Sequence, residues 1–508
     1  MRRMASLAPL AVLLLLTQSA WSEERNRFAD VLALQEAVHQ SIERAEPSIA
    51  CILVSRSDKY RGRLAKPQAP GRLGSFDLQQ ALRNVGRDSA EELTLRRLDL
   101  SNPDNVPESY GSGIVLDAEE GLILTLAHVV RNASKIYVRL PGGRGSWADI
   151  HASDPRSDLA VLRLIKHLPN LKALKLGDGG KLRKGDFILT LSNPFAAGLR
   201  DGSPSASWGI VSNLRRRATG VQSDVASIQR NAQLPLYCFN TLIQTDTRMN
   251  LGCSGGALLN LQGELVGLVS SRAGIAGGET PGGFAVPLDA GMRRIIKVLL
   301  RGEEVEYGFL GVYLWESQEG SEGYVRIKAL MNGGPAAQGG IGGTVYPTFG
   351  RGDFIHSING SPVHGNDDLF LAVSLHLAGS SVRVEVSANP DGPRRIRSVT
   401  LAKFASPDLQ PIASQRPPAR GGLRVDWTST VFDSNRGIEE GVVIREVLPS
   451  SAAEGRLQKG MIITSVDRRK VTNPAEFYRA MRKANGPVEF TFRKPPELGE
   501  ERITINVK

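Results

Sequence analysis

Asn250-Leu251-Gly252-Cys253-Ser254-Gly255-Gly256-Ala257-Leu258 sets one serine among three glycines, just before the apolar run Leu265-Val266-Gly267-Leu268-Val269. Those are the surroundings a nucleophilic hydroxyl needs. Small neighbours leave room for a substrate backbone, and Gly252 can present its N–H where a side chain would obstruct. The competing reading is an ordinary turn, because Gly-Ser clusters punctuate loops of every kind. What separates the two is whether the chain also supplies a base and a carboxylate.

It supplies both upstream. His128 ends the apolar stretch Thr125-Leu126-Ala127-His128-Val129-Val130, where a strand end would project it into a cleft. Asp158, in Asp154-Pro155-Arg156-Ser157-Asp158-Leu159-Ala160-Val161, enters another apolar run. Neutral serine is a poor nucleophile, so an imidazole must take the Ser254 proton as attack on a carbonyl begins. A carboxylate on the other ring nitrogen then fixes the tautomer and stabilises the imidazolium. The backbone N–H groups of Gly252 and Ser254 could receive the oxyanion.

Several alternatives are weighed against this set. Gly252-Cys253-Ser254-Gly255-Gly256 fits the G-x-S-x-G elbow, but an α/β-hydrolase needs its histidine after the serine. Only His356, His364 and His376 follow, all in segments read below as a binding module. The order His, Asp, Ser is that of chymotrypsin. A histidine at a strand end can also be purely structural. His39 lies on a helix, while His151 and His167 lie among polar residues and are expected to be solvated. Asp154 competes for the acid role, although it precedes Pro155 in a turn-like setting and Asp158 adjoins the buried run. Cys253 beside the serine suggests a thiol nucleophile; the plainer reading is a small side chain filling space.

The elements that must position these groups come from the chain as a whole. With 508 residues the length suggests about three domains. Met1-Arg2-Arg3, the apolar run Leu7 to Leu16 and Ala20-Trp21-Ser22 read as an export signal over residues 1–22, cleaved before Glu23. No later stretch is long and apolar enough for a membrane helix. Cys51, Cys238 and Cys253 make no disulfide framework. The net charge of +11 is spread over many segments, and no basic motif interleaved with aromatics points to nucleic acid. No His/Cys/carboxylate cluster has metal-ligand spacing, so neither metal nor organic cofactor is expected.

Asp30 to Glu46 reads as an amphipathic helix, with Val31, Leu34, Val38 and Ile42 on one face, within an N-terminal segment 23–46. Ile49 to Val54 follows as a buried strand. Residues 56–107 read as a long surface loop with a short helix near Asp77 to Asn84. From Gly111 come short strands between Gly, Pro and Asp turns: Gly111 to Leu116, Leu122 to Val130, Ile136 to Leu140, Leu159 to Leu164, Phe187 to Leu191, Gly209 to Asn213, Leu242 to Thr245 and Leu265 to Val269. That texture argues an all-β barrel or sandwich within 47–300, closing near Phe284-Ala285-Val286-Pro287 before a helix at Leu288 to Arg301.

The remaining chain repeats itself. Gly352-Asp353-Phe354-Ile355-His356-Ser357-Ile358-Asn359 lines up with Gly460-Met461-Ile462-Ile463-Thr464-Ser465-Val466-Asp467, 108 positions on. Each copy carries a strand, a turn, a helix (Asp367 to Leu377; Pro474 to Ala484) and a final strand (Val382 to Val386; Val488 to Phe492). Two copies of one α+β module, 301–404 and 421–508, are expected. Between them a proline-rich linker, 405–420, is expected to be semi-extended.

Gly111-Ser112-Gly113-Ile114-Val115, Ala127-His128-Val129-Val130, Ser157-Asp158-Leu159-Ala160-Val161, Ser192-Asn193-Pro194-Phe195, Trp208-Gly209-Ile210-Val211-Ser212 and Gly252-Cys253-Ser254-Gly255-Gly256 resemble, in order, the HtrA/Deg serine proteases. The paired modules resemble that family's PDZ domains. The resemblance implies a mainly β fold, with a chymotrypsin-like double β-barrel followed by two α+β PDZ-like domains. It implies ATP-independent endoproteolysis of unfolded or damaged envelope proteins, in the periplasm or after secretion, by a trimer or larger homo-oligomer. It also suggests small aliphatic residues before the cut. The chain departs from the pattern at Cys253, where Asn is usual, at Leu251, where Pro or Arg is common, and in a longer segment from Arg215 to Tyr237.

In the first module Tyr307-Gly308-Phe309-Leu310-Gly311-Val312 resembles a carboxylate-binding loop, with Phe309, Leu310, Gly311 and Val312 receiving a peptide C-terminus while the peptide adds a strand. An insertion from Gly342 to Arg351 lies near that groove. In the second module Arg424 stands where the loop has a glycine, which weakens the case for binding there. Two rivals to the quality-control protease remain: a chaperone or holdase whose protease is latent, and a signalling protease that cuts one partner when a C-terminal peptide occupies the first module.

Overall fold

Ile49–Ser55 (β1) is buried along its whole length, as a continuous apolar run must be when both faces are covered. In this computed structural model the described residues are 28–56, 99–105, 107, 109–216, 235–239, 241–271, 282–315, 324–405, 410–432, 437–482, 484, 486–495 and 499–507. The expected signal at 1–22, nearly all of the expected surface loop with its short helix, and most of the segment from Arg215 to Tyr237 lie outside them.

Ser109–Asp117 (β2), Leu122–Leu126 (β3), Lys135–Leu140 (β4), Arg144–Asp154 (β5) and Leu159–Leu164 (β6) join β1 in the order β5-β4-β1-β2-β3-β6, and pairing of β5 with β6 closes a barrel. A second closed barrel contains Phe187–Ser192 (β7), Ser205–Arg216 (β8), Leu242–Thr245 (β9), Ala257–Leu259 (β10), Leu265–Val269 (β11) and Gly283–Pro287 (β12). Closure leaves no long unpaired edge, and the alternating inner faces fill each interior. The fold is mainly β, a chymotrypsin-like double barrel.

Sequence patterning missed β5 and β10. The polar run of β5 is held as a strand by neighbours on both sides, β4 and β6, which local composition does not report. Patterning also overran β3. The expected strand to Val130 stops at Leu126, and Ala127–Val130 forms a single helical turn (α2). The reason is tertiary: the Ala127 N–H still meets the Asp158 carbonyl at 2.8 Å in the β3–β6 register, but the His128 N–H turns to the Asp158 carboxylate at 2.9 Å and leaves the ladder.

A helix (α1) covers residues 28–45. Only its C-terminal half packs on the barrels, through Val38, Ile42 and Ala45. Val31, expected on the buried face, is 62% exposed, together with Phe28 and Leu32. Ala290–Leu300 (α3) starts at Asp289, whose carboxylate accepts the Met292 N–H at 2.8 Å, and buries Met292, Ile295, Ile296 and Leu299 against the barrels.

The repeat seen in the sequence is a repeat in three dimensions. Phe354–Ile358, the turn strand Ser361–Pro362 and helix α4 (Asn366–Ser374) are matched 108 positions on by Ile462–Val466, Arg469–Lys470 and helix α5 (Pro474–Arg482). Even the bulge recurs, between Ile355 and Ser357 and between Ile463 and Ser465. Each sheet has its own buried core.

The proline-rich segment does not run free. Ile412–Ala413 pairs with Ser153 and Ala152 on the edge of β5, the Ser414 N–H donates to the His151 carbonyl at 3.0 Å, and the Gln415 N–H to the Gly302 carbonyl at 2.9 Å. His151, expected to be solvated, is buried beneath this added strand. Its ring contacts the Leu300 carbonyl at 3.2 Å and Ser414 Oγ at 2.9 Å. Buried Lys403 meets Glu304 at 2.9 Å, Glu306 at 3.2 Å and Asp426 at 3.1 Å, which ties the second module to the first. Cys51, Cys238 and Cys253 are all buried, and burial pushes the Cys51 thiol up to about 12.

Candidate active site

Strand register brings the base and the acid together. β3 and β6 pair with Leu126 opposite Leu159, so the residues just outside that pair, α2 and the turn before β6, meet at one end of the barrel. His128 Nδ1 lies 2.7 Å from Asp158 Oδ2, while Asp158 Oδ1 accepts the His128 backbone N–H at 2.9 Å. The carboxylate thus grips both the ring and the backbone of one residue. Asp158 adopts φ +57, a left-handed conformation that a non-glycine residue holds only when its surroundings over-determine it. The imidazole and carboxylate are largely buried, with 12% and 6% of their side-chain surface exposed.

Asp154 has a different task. Its Oδ2 accepts the Ser157 N–H at 2.9 Å and the Ser157 hydroxyl at 2.5 Å, which closes the turn, and it also accepts the Tyr307 hydroxyl. Burial pushes the Asp154 carboxyl above its ordinary range and the Tyr307 phenol well above its own. Asp154 therefore anchors the first module to the barrel, and of the two candidate acids only Asp158 meets His128.

Ser254 sits in the turn between β9 and β10, in the cleft between the barrels. The turn is built from backbone bonds, Cys253 N–H to the Asn250 carbonyl at 3.1 Å and Gly256 N–H to the Cys253 carbonyl at 2.9 Å. Gly252 has φ +95, and a Cβ there would lie 2.4 Å from the Asn193 carbonyl oxygen. Only glycine fits. Cys253 turns its sulfur inward, where Sγ accepts the Asn250 N–H at 3.4 Å, as a space-filling residue would.

Ser112, noted above only inside a larger block, joins the two barrels at this point. Its N–H donates to the Ser254 carbonyl and its hydroxyl to the Gly252 carbonyl, both at 2.8 Å, while the same hydroxyl accepts the Asn193 N–H at 2.8 Å. One buried serine thereby sets the backbone on both sides of Cys253. Nothing in its flanking Gly111 and Gly113 announces that role beyond the close approach they permit: a Cβ on Gly111 would come 2.6 Å from Val129.

The Ser254 hydroxyl is held by Ser271. The two Oγ atoms are 2.6 Å apart, a hydrogen bond either can donate, and the Ser271 N–H donates to Ser254 Oγ at 3.1 Å. Tyr110, His128, Leu251, Gly252, Ser254 and Ser271 line a common cleft of about 390 Å³. His128, Gly252 and Ser254 thus open on one space large enough for an extended peptide backbone. Among the described residues no group of three or more His, Cys, Asp or Glu side chains could hold a metal ion.

The loop residues Phe309, Leu310, Gly311 and Val312 lie elsewhere, at one end of a groove between strand Val312–Leu314 and helix α4. Gly311 has φ +76 and lies against Pro335. The insertion at 342–351 returns Tyr346 onto Tyr313, with ring centroids 5.0 Å apart. Arg424 of the second module is engaged with Glu446 at 2.6 Å and with the Pro417 carbonyl at 2.9 Å.

Residues 111–268 match a trypsin-like peptidase domain. The chain is 31% identical over 389 residues to the periplasmic serine endoprotease DegP of Salmonella typhimurium, covering 73% of this chain and 72% of that protein. It is also 31% identical over 381 residues to the periplasmic pH-dependent serine endoprotease DegQ of Escherichia coli K12, covering 74% of this chain and 76% of the relative. Among solved structures, the HtrA-type protease AlgW with tripeptide has a TM-score of 0.47 at 24% identity, covering 72% of this chain and 97% of that one.

Proposed function

The chain belongs to the HtrA/Deg family of serine endoproteases, and from that premise we propose that it is an exported, ATP-independent enzyme cutting unfolded or damaged envelope proteins with Ser254, His128 and Asp158. The observation that carries the residue roles is that His128, doubly bonded to Asp158, opens on the same cleft as Ser254. His128 Nε2 takes the Ser254 proton as Oγ attacks the scissile carbonyl, and Asp158 holds the proton on Nδ1 and stabilises the imidazolium. The N–H groups of Gly252 and Ser254 receive the oxyanion, and Gly252, free of a side chain, lets substrate reach them. His128 then returns its proton to the leaving amine. Water repeats the sequence on the acyl-enzyme.

The first module serves recognition in this reading. Its 309–312 loop receives peptide C-termini, and the peptide adds as a strand beside Val312–Leu314. Export follows from the leader-like first 22 residues and from the periplasmic relatives. Assembly as a trimer or larger homo-oligomer would give the exposed Phe28, Val31 and Leu32 of α1 a partner.

The test is degradation of casein by mature protein, with Ser254→Ala and His128→Ala as controls. Each substitution should lower the rate by several orders of magnitude. Undiminished cleavage in either variant would remove that residue from the mechanism.

A second reading has one observation in its favour, the hold of Ser271 on the Ser254 hydroxyl. It makes the resting chain a holdase with a latent protease. Suppression of aggregation by Ser254→Ala as strong as that of the unchanged chain would support it; loss of all protection would remove it.

A further inference from the structure

The cleft that holds Ser254 carries positive charge on one side. Besides the groups already placed in it, it is lined by Arg56, just past the end of β1, and by Arg131 and Asn132, which follow α2. Among the described residues that line it, none is acidic. Both arginines are exposed. Arg56 reaches across the end of α2: its Nε–H donates to the Arg131 carbonyl at 2.9 Å and its Nη2 to the Val129 carbonyl at 3.1 Å. These bonds satisfy carbonyls at the end of the turn and leave other N–H groups of the guanidinium for a ligand.

The direction of a bound substrate follows from the chemistry. Gly252 and Ser254 fix the scissile carbonyl, and His128 must reach the leaving amine to protonate it. The residues after the cut therefore start on the His128 side of the cleft. Arg131 stands three positions after His128, a spacing that sets two side chains on one face of a helical turn. Arg56 is tied to the backbone of the same turn. Two guanidinium groups in one place repel, and an anion between them offsets that repulsion. The carboxylate of the site does not provide it: both Asp158 oxygens are taken by His128, one by the backbone N–H at 2.9 Å and one by Nδ1 at 2.7 Å. Among the described residues no carboxylate forms an ion pair with Arg56 or Arg131.

We propose that Arg56 and Arg131 set specificity on the leaving-group side of the cleft, selecting polypeptides with Asp or Glu at the first or second position after the scissile bond. Their guanidinium groups take that side-chain carboxylate while Ser254 attacks the bond before it. Apart from His128 the other described lining groups are neutral, so the charge preference comes from these two side chains. The proposal rests on the assignment of Ser254, His128 and Asp158 as the catalytic groups, and it adds the class of sequence that they cut.

The cuts that the mature protein makes in casein are mapped by mass spectrometry, and internally quenched peptides are built on one mapped site with Glu, Gln or Lys at both of the positions that follow the bond. The readout is kcat/KM for each peptide. The Glu peptide should exceed the Gln peptide by about 3- to 10-fold, with the Lys peptide below both. Salt at about 0.5 M should remove most of that difference. With Arg56→Gln and Arg131→Gln together the Glu-to-Gln ratio should fall to about 1, and with Arg131→Glu it should drop below that while the Lys peptide gains. Arg56→Lys, which keeps the charge, should retain part of the preference. A Glu-to-Gln ratio near 1 in the unchanged chain, or a preference that survives the double substitution, would overturn the proposal and leave the protease reading standing. Equal loss on all three peptides would make the arginines struts of α2 and also overturn it. No cleavage of casein by the unchanged chain would remove the protease reading, and the proposal with it.

Discussion

Ser254 Oγ lies 2.6 Å from Ser271 Oγ and also accepts the Ser271 N–H at 3.1 Å, so the hydroxyl assigned to attack is engaged before any substrate arrives. A hydroxyl that donates to Ser271 aims its proton away from His128, and one that accepts two bonds is a weaker nucleophile. Catalysis in the proposed scheme needs that hold released. Ser271→Ala removes one of the two bonds, worth about 0.5–1.5 kcal/mol. Basal kcat on a short peptide substrate should rise about 2- to 10-fold in the variant. A fall in kcat would show that Ser271 positions the nucleophile rather than restraining it.

Two carboxylates four residues apart are assigned unlike roles, and substitution separates them. Asp158→Asn should lower kcat by about 10³- to 10⁴-fold with little change in KM, because the His128 tautomer is no longer fixed. Asp154→Asn should change kcat by less than about 10-fold and instead loosen Tyr307 from the barrel. Steady-state kinetics on both variants decide it: comparable losses in kcat would refute the division.

His151 makes stability depend on pH. Burial is the main cause that holds its imidazole below the ordinary value, with the Arg163 charge adding to it; the bond to the Leu300 carbonyl and the Glu120 charge oppose them. The folded chain therefore prefers neutral His151. Its stabilising contribution is complete above the unfolded value near pH 6.5 and is lost as pH falls through the lower folded value. Thermal midpoints between pH 7.5 and 5.5 should fall more steeply for the unchanged chain than for His151→Gln. Parallel slopes would mean that His151 is not coupled to folding.

Buried Lys403 carries positive charge into a partly buried cluster of Glu304, Glu306 and Asp426. Lys403→Met leaves those carboxylates without their central cation, at a cost of about 3 kcal/mol. Arg445, which reaches Glu304 at 2.9 Å and Asp426 at 3.2 Å, keeps the loss at the low end of such changes. Hydrogen exchange should quicken at Asp426 and Ser429 of the second module in this variant. Protection unchanged from the parent chain would show that the cluster does not hold the modules together.

What could be read along the chain was what neighbours in sequence decide. Ser254 among glycines, His128 and Asp158 beside apolar runs, and the 108-residue repeat are local patterns of residue type, and such patterns follow from strand and helix periods alone. Tertiary structure settled everything that depends on register or on distant partners. The pairing of Leu126 with Leu159, and not any property of either carboxylate, set Asp158 rather than Asp154 on His128. Ser112 met Ser254 because two barrels close against each other, and Ser271 met it by returning along β11. His151 lost its water because Ile412–Ala413, more than 250 residues on, found the edge of β5. Arg156 entered the groove of a module that begins about 150 residues later, because Asp154 and Tyr307 draw the two together. Hydrophobic periodicity specifies which face of an element is buried but not what buries it, so these contacts belong to the folded chain.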